Sequence, residues 1–241
     1  MPANRKLLLV FLAALLTGGA ALPLLSPHPL VRRLAEYHPE VLFFVTTDRP
    51  RVALTIDDGP HPDLTPAILD VLKAHDARAT FFVIGSRVAG NEAILERMIA
   101  EGHEIANHQW TDQPGIRLDS AAFQASVDRT RRALEPFAAS RNWMRPGSGW
   151  FDDAMLAVLK ESGYRCVLGS VYPFDTAHAS AAFSTWYIRR HVHPGAIIIL
   201  HDGGPERRAT VAVLEAVLPE LTRRGYRVVT LDELVEVPSG R

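Results

Sequence analysis

The chain reads VALTIDDGP over residues 52–60, an apolar run that ends on two adjacent carboxylates, Asp57 and Asp58. Gly59 and Pro60 continue neither a strand nor a helix comfortably, so the chain is expected to turn there. A helix is predicted to follow at residues 65–74. In α/β proteins, the carboxyl end of a strand is where side chains that carry out chemistry are placed. The paired acids therefore predict a functional site in which the two carboxylates have different roles.

Strands and helices alternate along the rest of the chain. The pattern predicts strands at residues 41–45, 52–56, 79–84, 104–107, 143–145, 165–168, 196–200 and 227–230. It predicts helices at residues 30–37, 65–74, 92–101, 120–137, 152–162, 185–191 and 210–224. This alternation indicates a parallel sheet covered by helices. About seven such units favour an α/β fold of the distorted or truncated (β/α) barrel type, with about seven parallel strands, and a doubly wound open sheet is the alternative.

Composition limits the classes of protein to consider. The chain has 241 residues, of which 47% are hydrophobic, and a formal net charge of −1. This size allows one domain with a substantial core and a short additional segment. The near-neutral charge provides no electrostatic basis for binding nucleic acid. The single cysteine, Cys166, excludes an internal disulfide and a cysteine-rich zinc site.

Residues 7–30 contain no Asp, Glu, Lys or Arg, and Arg5 and Lys6 precede them. Residues 7–16 resemble the apolar core of a signal peptide, and the small residues 18–21 offer a cleavage site. Residues 7–25 are also about long enough to span a bilayer, so a retained hydrophobic anchor helix is an alternative. A buried helix of a soluble protein is a third interpretation. We assign residues 1–30 to a signal peptide or anchor and expect the catalytic part to lie outside the cytoplasm.

Polar side chains follow several of the predicted strands. They are Asp57 and Asp58, then Asn107, His108 and Asp112, then Arg145, then Asp175, and finally His201 and Asp202. The carboxyl ends of parallel strands in a barrel meet at one face, so these groups are expected to converge although they are far apart in sequence.

Three of these residues, Asp58, His108 and Asp112, form a plausible metal-binding set. An imidazole with carboxylates suits Zn²⁺, and Mn²⁺ or Co²⁺ are alternatives. His108 and Asp112 are four residues apart and would face one ion if the loop between them turned helically.

The remaining polar groups suggest acid–base chemistry. Asp57, beside a metal-ligating Asp58, is predicted to be the base that deprotonates a metal-bound water. His201 follows a strand too apolar to need an imidazole for packing, and it is predicted to be a general acid. Arg145 is expected to hold a carboxylate with two hydrogen bonds.

The motifs resemble those of the polysaccharide deacetylase family with the NodB-type domain, carbohydrate esterase family 4. The resemblance covers roughly residues 50–236, so we assign residues 31–48 to a linker and short extension and residues 49–238 to the domain. Residues 55–60 match the family's T-F-D-D-G-P motif, with Ile56 in place of Phe. Residues 102–112, 145–149 and 199–202 resemble the family's later motifs, in the same order.

The resemblance implies a role for each matching residue. Asp57 would be the general base, oriented by Arg145, and His201 the general acid. Asp58 and His108 would ligate the metal. The resemblance also implies that Asp175 holds Arg145, and that Ile199 lines the pocket for the acetyl methyl group. The predicted substrate contacts are Ile199, Pro146, Gly147, Trp150 and Tyr172.

The chain departs from the family pattern at several positions. Asp112 stands in place of the second metal-binding histidine, which makes the site harder and more negative. Gln109 replaces the usual Ser or Thr beside His108. Gly147 and Ser148 stand where a proline and an aromatic residue are usual. The fourth motif, usually an Asp followed by Trp, is only loosely matched around Asp175.

The resemblance implies a metal-dependent hydrolase that removes acetyl groups from the N-acetylated sugars of a chitin-like or peptidoglycan-like glycan. We expect a monomer with a divalent metal, most simply Zn²⁺, and membrane contact only through the N-terminal segment if that segment is not cleaved. Two alternatives stay open. One is a non-catalytic carbohydrate-binding protein on the same fold, and the other is a deacylase of a different amide or ester, such as a lipid-linked sugar.

Overall fold

The computed structural model describes residues 27–137, 143–177 and 180–236, and the predicted hydrophobic N-terminal helix lies outside them. The strands are β1 (Val41–Leu42), β2 (Arg51–Asp57), β3 (Ala79–Val83), β4 (Glu104–Asn107), β5 (Trp143–Met144), β6 (Arg165–Val167), β7 (Ile197–His201) and β8 (Arg227–Val229). The helices are α1 (His28–Tyr37), α2 (Leu64–Ala74), α3 (Glu92–Ala100), α4 (Ser120–Leu134), α5 (Asp153–Glu161), α6 (Ala181–His191), α7 (Ala209–Arg223) and α8 (Leu231–Val235). Within these described ranges, no helix is long and apolar enough to cross a bilayer.

The strands form one curled parallel sheet. Seven of them follow the order β1-β6-β5-β4-β3-β2-β7, and β8 pairs with the beginning of β2. Isolated bridges from Val171 to Ile198 and from Phe44 to Ala196 bring the two ends of this path together. The predicted incomplete barrel of about seven parallel strands is therefore confirmed, and the open-sheet alternative does not apply.

Strand β2 has three neighbours in the sheet. It pairs with β3 on one side and β7 on the other, and its first residues also pair with β8. Six of its seven residues are buried, as expected for a parallel strand that is covered on both faces. The hydroxyl of Thr55 donates to the carbonyl of Ile198 at 2.8 Å. These pairings place Asp57, at the end of β2, beside Phe82 of β3 and His201 of β7.

Side-chain caps account for several helix boundaries. Asp119 and Asp152 accept from the backbone N–H groups of Ala122 and Met155 at the starts of α4 and α5. Ser180 caps α6, which therefore begins at Ala181, four residues before the predicted start. Helix α8 was not predicted.

The segment assigned to a linker and short extension contributes to the barrel. Within it, Val41 and Leu42 form the edge strand β1, which pairs with Cys166 and Val167 of β6. Helix α1 buries Val31 against the same part of the core.

Candidate active site

Asp57 ends β2, Asp58 begins the turn that follows, and their side chains point in different directions. Successive residues of a strand face opposite sides, and Asp58 also has a φ of 76°, a left-handed conformation that turns the chain. Asp57 is 2% exposed and faces Arg145 and His201, whereas the carboxylate of Asp58 faces His108. Local backbone geometry thus separates two adjacent carboxylates into two environments.

Arg145 holds Asp57 in place. Its Nη1 lies 2.5 Å from Oδ1 of Asp57 and also donates to the hydroxyl of Thr55 at 2.9 Å. The rest of the guanidinium donates to the carbonyls of Val167 and Leu168, each at 3.2 Å. Every nitrogen of this 2% exposed side chain therefore has an acceptor, as a buried cation requires. The arrangement fixes the orientation of Asp57.

His201, at the end of β7, forms the second half of this arrangement. Its Nδ1 lies 3.0 Å from Oδ1 of Asp175, and its Nε2 lies 3.9 Å from Oδ2 of Asp57. Burial alone would lower the pKa of His201, but the hydrogen bond that it donates to Asp175 and the charges of Asp175, Asp57 and Asp58 raise it to about 9. The imidazole is therefore protonated at neutral pH, and its Nε2–H is available to a bound molecule.

The contact made by Asp175 corrects the sequence-based expectation. Asp175 was expected to hold Arg145, but both of its carboxylate oxygens contact His201, and Oδ2 also accepts the backbone N–H of that residue at 2.9 Å. Backbone carbonyls take the place beside Arg145 that was expected for Asp175.

Asp58 and His108 form a separate pair. Oδ1 of Asp58 lies 3.2 Å from Nε2 of His108, and Nδ1 of His108 lies 2.7 Å from the carbonyl of Arg145. A carbonyl only accepts, so Nδ1 carries a hydrogen, as is usual for metal-binding histidines. Burial would raise the pKa of Asp58, but the hydrogen bond and charge of His108, with smaller contributions from His201 and Arg87, lower it to about 2.

This pair fits a divalent metal ion. Burial would lower the pKa of His108, but the hydrogen bond to Asp58 and the charges of Asp57 and Asp58 raise it, so a proton lies between Nε2 and the carboxylate. When that proton leaves, Nε2 presents a lone pair beside an ionised carboxylate, and a cation can take the place of the proton. A carboxylate oxygen and an imidazole nitrogen are ligands that Zn²⁺ and similar ions prefer.

Asp112 lies apart from this pair. Its side chain is 62% exposed, and its Oδ2 is 3.9 Å from Nη2 of Arg87. Residues 108–114 form bends rather than a helix, and Gln109 has a φ of 66°, so a spacing of four residues does not place Asp112 beside His108. Across the described parts of the chain, no group of three or more His, Cys, Asp or Glu side chains is arranged to hold a metal ion. The role of Asp112 as a ligand stays a prediction.

Two departures from the family pattern prove to be coupled. The fully buried side chain of Gln109 accepts the backbone N–H of Gly147 at 3.1 Å and donates to the carbonyl of Gln113 at 2.9 Å. A Cβ atom at Gly147 would collide with that carbonyl, and one at Gly115 would collide with Oε1 of Gln109. The long amide therefore requires both glycines, and it ties the loop after β4 to the loop after β5.

The predicted substrate contacts lie in different environments. Ile199 is half-buried and precedes His201 by two residues on β7, so both side chains face the same way. Tyr172 is half-buried, with its ring centroid 5.9 Å from that of His201. Trp150 is half-buried, whereas Pro146 and Gly147 are buried.

Asp202 packs beneath the turn that follows β2. Its side chain is fully buried, accepts from the hydroxyl of Thr65, and approaches so closely that a Cβ at Gly59 would lie 2.6 Å from Oδ1. Its backbone N–H donates to the carbonyl of Asp57 at 3.0 Å. Burial raises the pKa of Asp202 to about 7. Asp202 thus packs against the turn after β2, and its carboxylate accepts a hydrogen bond from Thr65 rather than from the imidazole of His201.

Arg87 is a site residue that the sequence reasoning missed. It lies in a short turn, Gly85–Arg87, just after β3, so the rule that strand ends carry chemistry could have identified it. Its Nη1 donates to the carbonyls of Asp58 and Gly203, at 2.6 and 2.5 Å.

Comparison with known proteins identifies relatives of this chain. The family model described as polysaccharide deacetylase matches residues 44–167. A peptidoglycan-N-acetylglucosamine deacetylase of Bacillus cereus is 35% identical over 208 residues, which cover 86% of this chain and 98% of that protein. A chitooligosaccharide deacetylase of a Bradyrhizobium species is 38% identical over 197 residues, with coverage of 76% and 90%.

Two solved structures are also similar to this chain. The Bc1960 peptidoglycan N-acetylglucosamine deacetylase, in complex with an N-oxidanyl-benzamide compound, superposes with a TM-score of 0.79 and 28% identity, over 86% of this chain and 98% of that one. A family 4 acetyl xylan esterase from Clostridium thermocellum, in complex with a cobalt ion, has a TM-score of 0.72 and 33% identity, with coverage of 76% and 89%.

Proposed function

This chain belongs to the polysaccharide deacetylase family, and from that premise we propose that it hydrolyses the N-acetyl group of N-acetylglucosamine units in a peptidoglycan-like or chitin-like glycan. The observation that carries the proposal is the pairing of a fixed carboxylate with a protonated imidazole at the barrel mouth. Asp57 is held by Arg145, and His201 is held by Asp175, with 3.9 Å between Oδ2 of Asp57 and Nε2 of His201. This arrangement suits a reaction that needs one base and one acid.

In the proposed reaction, water attacks the carbonyl carbon of the acetamido group while Asp57 accepts a proton from that water. The new C–O bond forms a tetrahedral intermediate. His201 then donates the proton on Nε2 to the sugar nitrogen as the C–N bond breaks, which releases acetate and a free amine. Asp175 keeps His201 protonated until that step, because it raises the pKa of the imidazole. Arg145 keeps Asp57 oriented throughout.

Asp58 and His108 are the residues that would hold a divalent ion, for which we propose Zn²⁺, with Co²⁺ and Mn²⁺ as alternatives. Such an ion lowers the pKa of bound water and polarises a carbonyl oxygen. The cobalt ion in the related acetyl xylan esterase supports a divalent metal in this family. We assign the ion no third protein ligand, because Asp112 is exposed and paired with Arg87.

Ile199 and Tyr172 are proposed to line the acyl side of the site. Ile199 packs tightly on Gly169, where an added Cβ would lie 2.7 Å from its side chain. A pocket confined in this way suits a small acyl group such as acetyl. The apolar residues 7–16 predict export, which would place this chemistry outside the cytoplasm, where peptidoglycan and chitin-like glycans are met.

The direct test is acetate release by the purified full-length protein from a panel of N-acetylated chitooligosaccharides, peptidoglycan and a lipid-linked N-acetylated sugar. We expect release from at least one of the first two substrates. Chelation should abolish it, and added Zn²⁺ should restore it. Binding without release would instead support a carbohydrate-binding protein. Release only from the lipid-linked sugar would support the alternative deacylase, and release that is insensitive to chelation would contradict a metal-dependent reaction.

A further inference from the structure

Arg87 occupies the space between the metal-binding pair and Asp112. Its Nη1 donates to the carbonyl of Asp58 at 2.6 Å and to that of Gly203 at 2.5 Å, while its Nη2 lies 3.9 Å from the carboxylate of Asp112. One guanidinium thus connects the turn after β2, the loop after β7 and the loop after β4.

Close packing fixes this position. A Cβ atom at Gly203 would lie 2.8 Å from Nη1 of Arg87 and would collide with Cβ of Asp58. Arg87 itself is 30% exposed, so its head group is held between two carbonyls with one edge towards solvent. Asp112, at 62% exposed, contributes the solvent-facing partner.

The charge of Arg87 acts in two ways on a metal bound by Asp58 and His108. A guanidinium stays protonated in proteins, so a full positive charge lies within hydrogen-bond distance of the backbone of Asp58 and opposes a second cation there. The same charge attracts Asp112, the further carboxylate that the sequence suggested as a ligand. Both effects weaken metal binding.

We propose that Arg87 sets the metal affinity of this site, because it holds Asp112 away from Asp58 and His108 and places a competing positive charge beside them. The inference rests on the proposed function only in that this pair must bind a divalent ion. In this proposal, pairing with Arg87 adds to the bend at Gln109 in keeping the carboxylate of Asp112 away from the ion.

The test measures the dissociation constant for Zn²⁺ of the full-length protein by competition with a chromophoric chelator, without any activity assay. We expect Arg87→Gln to tighten Zn²⁺ binding by about tenfold, the scale on which neighbours of metal ligands change affinity. Asp112→Asn alone should leave the affinity unchanged. In the Arg87→Gln background, Asp112→Asn should remove part of the gain, which gives a coupling between the two positions.

Two controls separate charge from packing. Arg87→Lys keeps the positive charge and one donor, so its affinity should stay near that of the unchanged protein. Arg223→Gln breaks an exposed ion pair with Glu220 on α7 and should have no effect. The proposal is overturned if Asp112→Asn alone weakens binding, if Arg87→Gln fails to tighten it, or if Arg87→Lys tightens it as much as Arg87→Gln does.

Circular dichroism would reveal whether Arg87→Gln folds. If it does not, Asp112→Asn is the remaining test, and weaker Zn²⁺ binding by that variant overturns the proposal. Absence of Zn²⁺ binding in the unchanged protein would overturn both this inference and the metal in the proposed function. Binding without the expected response to Arg87→Gln would overturn the inference alone.

Discussion

The two sides of the barrel mouth differ in how firmly their charged groups are held. The proton-transfer side consists of Asp57, Arg145, His201 and Asp175. The metal-binding side consists of Asp58, His108, Arg87 and Asp112. On the first side, Asp57, Arg145 and Asp175 are at most 5% exposed, and every charged group has a short contact to an oppositely charged one. On the second side, the chain of contacts ends at the exposed Asp112.

The difference shows what each kind of chemistry needs from the protein. A proton-transfer group needs a fixed orientation and a shifted pKa, and buried hydrogen bonds supply both. A metal ion brings its own charge and organises its ligands when it binds, so one side of its site can stay open to solvent. The structure therefore fixes the proposed acid and base fully, and the proposed metal ligands only in part.

The largest expected effect on the proton-transfer side comes from removing the proposed base, Asp57. We expect Asp57→Asn to lower kcat for acetate release by about 10²–10⁴-fold, the usual contribution of a general base. Zn²⁺ affinity should persist, because Asp58 and His108 are unchanged. The measurements are acetate release and chelator competition on the same preparation, with the exposed Asp63→Asn as the matched control. Retained turnover would remove Asp57 from the role of base.

A second change weakens the acid without removing it. Asp175→Asn should lower the pKa of His201, since the hydrogen bond and charge of Asp175 raise it to about 9. His201 acts while protonated, so the alkaline limb of the kcat/KM profile should move to lower pH by roughly one to three units. Asp112→Asn is the matched carboxylate control from the other side and should leave that limb in place. If Asp175→Asn leaves the alkaline limb at the same pH, that limb does not report the titration of His201.

The raised pKa of His201 also predicts how the stability of the protein depends on pH. The pKa of His201 is raised from 6.5 to about 9 on folding, so its contribution is fully present below pH 6.5 and is lost as the pH rises through about 9. The thermal midpoint of Asp175→Asn should therefore fall most, relative to the unchanged protein, below pH 6.5. A difference that is equal at pH 6 and pH 10 would point to lost packing instead.

The smallest expected effect tests how the loop after β4, which carries His108 and Gln109, is held in place. A methyl group at Gly147 would collide with the carbonyl of Gln113 and lie 2.9 Å from Nε2 of Gln109. Gly147→Ala should therefore lower the free energy of unfolding in urea by about 1–3 kcal/mol, the usual cost of overpacking. Ser148→Ala, at the exposed neighbouring position, should change it by less than about 0.5 kcal/mol. Equal stabilities would show that the Gln109 contacts do not fix this loop.

The fold was largely predictable because each strand is an apolar run bounded by turn residues. Strand β4 was predicted with the observed bounds, Glu104–Asn107, and β2 differs by one residue at each end. Helix α8 was missed because five residues are too few to show a helical period. Its capping box, formed by Thr230 and Glu233, was the available signal.

The site was predictable where it depends on strand ends and not where it depends on loops. The spacing of His108 and Asp112 suggested a shared ion only if the loop were helical, and the left-handed Gln109 prevents that. The sequence placed Asp175 among the correct site residues but paired it with Arg145 instead of His201, because its loop has no regular period. Arg87 was missed because it lies four residues beyond the end of β3 and its hydrogen bonds go to backbone carbonyls, so only its place after a strand end pointed to it.

Strand β2 has a consequence for how the sequence can vary. It is held in register by three neighbours, β3, β7 and β8. An insertion or deletion of one residue within 51–57 would therefore put a different residue at the end of β2, where Asp57 now faces Arg145. Asp57 and Asp58 are the same amino acid, and only their positions distinguish them, one at the end of the strand and the other in the left-handed turn that follows. Changes of length are therefore expected in the segment at residues 46–50 and not in the strand.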